Sequence, residues 1–99
     1  MRLDRNGYAP SVLPTAPGIC FSCGRTGDTA RHEIYGGANR KISKAHGFWV
    51  NICPNCHNIV HLKYDDGVLD RELKKMCQYT YERTHSRDEF MELIGKNYD

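Results

Sequence analysis

The sequence has no long apolar run, so a membrane-spanning helix is not expected. Its first residues lack the apolar stretch of a secretory signal, so export is not expected either. No segment repeats, which argues against a solenoid or array. No strand–helix–strand series surrounds the cysteines, which argues against a redox dithiol fold. An excess of either sign of charge is also lacking, with a net value of only +2. Apolar residues make up 39%, too many for a disordered composition. What remains is a small cytoplasmic protein with one domain.

A chain of 99 residues buries a limited core and often needs a staple. Five cysteines are present, and four of them form two C-x-x-C pairs, Cys20/Cys23 and Cys53/Cys56. Two residues between cysteines let both sulfurs reach one tetrahedral ion, and Gly24 after the first pair permits the tight turn. Four thiolates make a closed structural zinc site with no open position. Such a site contributes on the order of 10 kcal/mol of folding free energy. Disulfides are disfavoured in a chain without export signals. Cys77 has no such partner and is expected to be a small buried hydrophobe.

Histidines form a second constellation. His32-Glu33 lies in Arg31–Tyr35, a short strand ended by Gly36-Gly37. His57 and His61 follow the second cysteine pair at a spacing of four, one turn apart on a helix over about residues 55–63, which Pro54 can open. A further strand, Gly47–Ile52, lies between and is expected to pair antiparallel with the first. If the helix packs across the strands, the three histidines face one cleft. Three nitrogen or oxygen ligands would leave positions on an ion for water and a phosphate oxygen. Alternation along a strand separates His32 from Glu33 unless the strand is ending or bulged.

Residues 1–18 carry Pro10, Pro14 and Pro17, which exclude a helix and favour an extended arm lying on residues 19–99. Arg2 and Arg5 give that arm a sharper reading as a DNA contact. Residues 39–47 read as a basic loop. Asp70 is expected to cap a long helix to about His85, with Leu69, Leu73, Met76 and Thr80 inward. Ser86 and Glu89 have capping-box spacing, and Gly95 suits the following stop, so the C-terminal helices span about residues 69–95. Residues 24–63 hold six Lys/Arg against Asp28 and Glu33, a net +4, whereas residues 64–99 carry a net −3. The positive charge surrounds the proposed cleft, as a phosphate-binding protein needs. Arg40, Lys41, Lys44 and Lys63 are the candidate phosphate contacts.

The order C-x-x-C, His-Glu-Ile, strand, Cys-Pro-x-Cys-His and a second His four residues on resembles the HNH, or ββα-metal, endonuclease family, over residues 19–63. The run Gly36–Arg40, the run His85–Phe90 and the end Gly95–Tyr98 are similar to small phage and prophage HNH-type proteins of Gram-positive bacteria. The resemblance implies an α+β fold: a ββα-metal core stapled by the four-cysteine zinc and followed by two helices. It implies a nuclease that hydrolyses DNA phosphodiesters with a catalytic divalent ion (Mg²⁺, Mn²⁺, Zn²⁺ or Ni²⁺), in phage DNA processing or recombination. His57 and His61 become ligands of that ion. Glu33 is expected beside them, with His32 as the base; the other division makes His32 a ligand. Phe48 stands where the family carries an asparagine, and Asn39 and Asn51 are the nearby amides. The alternative function is a catalytically impaired nucleic-acid-binding module or a phage adaptor. Expected partners are DNA, a second copy of the chain, or phage replication or recombination proteins.

Overall fold

The computed structural model describes residues 3–99. It is an α+β protein built on a two-stranded antiparallel sheet and four helices. Strand β1 spans Ala30–Glu33 and β2 spans Trp49–Ile52, with His32 opposite Val50 and Glu33 opposite Trp49. The expected pairing is present, with each strand shorter than the expected 31–35 and 47–52. Beyond the ladder, Ile34 N–H still donates to Phe48 C=O at 2.9 Å.

Residues 39–47 are not a loop. A 3₁₀ turn at Gly37–Asn39 leads into helix α1, Arg40–His46. Seven residues are too few for a stable isolated helix, so packing must hold this one. Buried Ser43 supplies the seam: its hydroxyl donates to Tyr35 C=O at 2.7 Å and accepts Tyr35 N–H at 3.1 Å. Gly47 ends α1 at φ +76°, beside the Pro10 carbonyl.

Helix α2, Pro54–Leu62, opens on Pro54 as expected, with Cys53 Sγ accepting Cys56 N–H at the cap. Buried Cys56 and Val60 face the core. Helix α3 runs Val68–Glu82, starting and ending about three residues before the expected bounds. Asp70 does not cap it. The Asp65 carboxylate takes Gly67 N–H and Leu69 N–H instead, and Asp70 pairs with Lys74 at 2.9 Å. Its buried stripe is Leu73, Cys77, Gln78 and Tyr81, whereas Met76 is 43% exposed. The inward stripe therefore follows the i+4 row through Cys77 to Tyr81, and Thr80 is only half-buried. Gln78 is tolerated inside because its amide is satisfied by Glu82, Asn97 and Tyr98 N–H. Helix α4, Arg87–Ile94, has both halves of the capping box and ends at Gly95.

The core lies where the sheet end meets α3 and α4. Phe48 is fully buried there, with Tyr35 and Tyr81 at 5.6 and 5.4 Å in edge-to-face contact. The N-terminal arm closes the opposite side. Ala9 N–H donates to Lys44 C=O, Val12 N–H to Gly47 C=O, and Trp49 Nε1–H to Ala9 C=O. Ala9 and Leu13 are buried. A radius of gyration of 13.0 Å is that of one domain of this length, so the arm belongs to the same body. Arg5 is exposed in the turn before Tyr8, and Arg2 lies outside the described residues. Among the described residues, no helix is long and apolar enough to cross a membrane.

Candidate metal centre and cleft

The two C-x-x-C pairs converge as their spacing suggests. Cys20, Cys23, Cys53 and Cys56 place their sulfurs within 4.8 Å of one another, close enough to hold a structural metal ion such as zinc. The first pair is shaped by a turn in which Gly24 N–H donates to Cys20 C=O, with Gly24 at φ +78°. Phe21 N–H donates to Asn51 C=O, which fixes this turn to the free edge of β2. The second pair lies at the start of α2, and Cys23 Sγ and Cys53 Sγ stand 3.8 Å apart. Burial works against a Cys20 thiolate, but backbone N–H groups led by that of Cys23 outweigh it and bring the thiol down to about 6. The Cys56 N–H likewise lowers Cys53. Burial pushes Cys56 up to about 12. Four sulfurs this close cannot all carry charge without a cation among them. The donor set therefore fits zinc.

His32, His57 and His61 also place ring nitrogens within 4.8 Å of one another. His32 comes from β1, on the sheet face that carries α2, and the other two come one turn apart from α2. Their ring centroids are 5.3, 5.3 and 4.7 Å apart. His32 is buried, His57 half-buried and His61 exposed, so the cluster opens towards solvent on one side. Among the described residues, His32 Nε2 is the one buried side-chain nitrogen or oxygen without a hydrogen-bond partner. A buried polar atom left unpaired costs about 1–3 kcal/mol. Coordination to a cation would remove that cost. Burial, and then the neighbouring His57 and His61, push the His32 imidazole down to about 4, which keeps it in the neutral form that a metal requires. Burial, then His61, lowers His57 as well.

The expected division of roles differs from the placement found. Glu33 lies outside the histidine cluster. Strand alternation turns it to the other sheet face, where its carboxylate accepts Tyr8 O–H and Arg40 Nε–H, both at 2.7 Å. It still borders the same cleft, of about 430 Å³, because β1 ends at that residue. Arg31 and Arg40 also line it. Of the four expected phosphate contacts, only Arg40 does so; Lys41 and Lys44 lie on α1 beside Gly7, and Lys63 caps α2. The Arg40–Glu33 pair has a guanidinium side chain that is 68% exposed, and such a pair contributes only about 0.2–1 kcal/mol. Arg40 can therefore exchange Glu33 for another anion at little cost.

Among the described residues, no asparagine lines that cleft. Asn39 donates to Ile94 C=O, and buried Asn51 donates to Thr15 Oγ1. Two cleft residues, Tyr8 and Arg31, escaped the reading of the sequence. Arg31 had a legible signal, since it shares a strand face with Glu33 at i+2. Tyr8 had none, because the docking of the arm is a tertiary event. Compared with family models, curated proteins and solved structures, the chain matches none.

Proposed function

We propose that this chain is a metal-dependent DNA endonuclease of HNH type, in which His32, His57 and His61 hold a divalent ion in a ββα-metal core. The observation that carries this reading is the three-histidine cluster, open to solvent on one side, with an unpartnered buried nitrogen. A divalent ion there would supply Lewis-acid stabilisation of charge on the phosphate oxygens. The chain's own groups do the rest. Glu33 accepts a proton from the attacking water as the water oxygen bonds to phosphorus. Tyr8 holds that carboxylate in place through its O–H. The bond from phosphorus to the 3′ oxygen breaks, and the leaving oxygen takes a proton from solvent. Arg40 turns from Glu33 to a phosphate oxygen as the strand enters. Phage DNA processing or recombination is the setting that the sequence resemblance suggests.

The test is nicking of supercoiled plasmid with Mg²⁺, Mn²⁺, Zn²⁺ or Ni²⁺. His57→Ala should lose both the second bound ion and the nicking. Glu33→Gln should keep the ion and lose about 10²–10⁴ in rate, the usual contribution of a positioned base. A second reading is favoured by Phe48, which fills the core where the family carries an amide. On that reading the chain is a zinc-stabilised nucleic-acid-binding module or an adaptor. DNA binding without cleavage, across all four metals and several DNA structures, would establish it and sink the nuclease.

A further inference from the structure

On the sheet face that carries the arm, Arg31 lies over two aromatic rings. Its guanidinium carbon is 4.3 Å from the Tyr8 ring centre and 4.8 Å from that of Trp49. The two rings meet edge to face at 5.6 Å. Asp4 fixes the guanidinium by accepting Arg31 Nη1–H at 2.8 Å. The polar tips are already spent, the indole N–H on Ala9 C=O and the phenol on Glu33. What these groups present is an aromatic corner capped by a planar cation, with the edge of the largely buried Trp49 in its wall. It lines a pocket of about 480 Å³ together with Asp4 and Pro10.

Tyr8 and Arg31 also line the histidine cleft, so the two spaces are neighbours. Their chemistry differs. The cleft gathers metal-ligating nitrogens and Arg40, and suits a phosphate. The pocket carries the Asp4 carboxylate, whose Oδ1 takes the Asn6 and Tyr8 N–H groups and whose Oδ2, paired with Arg31, keeps a lone pair for the amino group of a base. A base in a duplex is stacked and paired, and cannot enter a side pocket without leaving its neighbours. Sequence-tolerant binding of unpaired strands uses such aromatic and guanidinium platforms.

We propose that the Tyr8–Arg31–Trp49 pocket receives an unpaired nucleobase next to the phosphate held in the histidine cleft, so that the substrate is single-stranded DNA. This rests on the nuclease reading for the phosphate's position, but binding can be read without cleavage. Trp49 is the only tryptophan in the chain and lies in the pocket wall, so its emission reports directly. Zinc-loaded protein without other divalent ions is titrated with a cytosine-rich single-stranded octamer and with a duplex of matching length. Single-stranded DNA should change Trp49 emission and bind about tenfold or more tighter than duplex, as one base stack allows. Arg31→Ala, at an exposed position, should remove that preference while leaving the circular dichroism spectrum intact. Equal binding of duplex, no emission change on binding, or a preference untouched by Arg31→Ala overturns the proposal. Emission-coupled binding with no nicking under any metal keeps the pocket and removes the nuclease. Nicking with equal affinity for duplex does the reverse.

Discussion

His32 and Glu33 are adjacent in sequence and face different neighbours. His32 turns towards α2 and its two histidines, and Glu33 turns towards Tyr8 and Arg40. For His32 this has a consequence in pH. Its folded value, about 4, lies below the 6.5 of a free imidazole, with burial as the main cause. Between those values the unfolded chain binds more protons than the folded one, so stability rises with pH. In protein carrying zinc at the cysteines alone, His32 should therefore cost stability as pH falls from 6.5 towards 4. The loss should reach about 3 kcal/mol at most. Denaturant melts of wild type and His32→Gln across that window should differ by this slope; parallel curves would remove the effect. Residue types and spacing made the histidines legible. They did not settle which of His32 and Glu33 joins the cluster, because one residue of register reverses the answer.

At the scale of elements, those marked by local chemistry were legible and those held by tertiary packing were not. The capping box at Ser86 and Glu89 and the Pro54 helix start are local chemistry, and both are present. Helix α1 was hidden because its basic residues give no apolar period and its stability comes from Ser43 against Tyr35. The inward stripe of α3 runs through Cys77 and a satisfied Gln78, and a polar residue inside a core gives no apolar signal. The turn after α1 is also where the arm is anchored. A β-carbon at Gly47 would lie 2.1 Å from the Pro10 carbonyl oxygen, at a φ of +76°. Gly95 has a similar φ of +83° but open space around it. Gly95→Ala should cost about 1–2 kcal/mol, the left-handed backbone penalty alone. Gly47→Ala should cost about 2–4 kcal/mol and loosen the arm. Thermal melts and hydrogen exchange at Ala9 and Val12 would check this; equal losses at the two sites would mean that the arm gives way freely.

For the whole molecule, the four cysteines join the turn before β1 to the start of α2. A structural zinc contributes on the order of 10 kcal/mol, comparable to the entire stability of a small domain. Cys20→Ser, or treatment with a strong chelator, should therefore abolish the cooperative thermal transition followed by circular dichroism. A melt within a few degrees of wild type would show that the sulfur cluster is not a staple. The charge asymmetry was visible in the sequence, but its use was not. Lys41, Lys44 and Lys63 do not line the cleft, Lys44 Nζ lying instead 4.9 Å from the ring centre of Tyr8, and only Arg40 of the expected set stands in its wall.

Cys56 and His57 are consecutive residues on the first turns of a nine-residue helix. That helix is too short to persist unaided, and its first turn is set by the sulfur cluster. The histidine cluster would thus assemble only after the thiolates have captured their ion. Oxidation of one cysteine, or a shortage of zinc, would disarm the cleft without altering a single histidine. The order of loading would become an interlock, under which a chain without its thiolate-bound ion has no assembled histidine cluster.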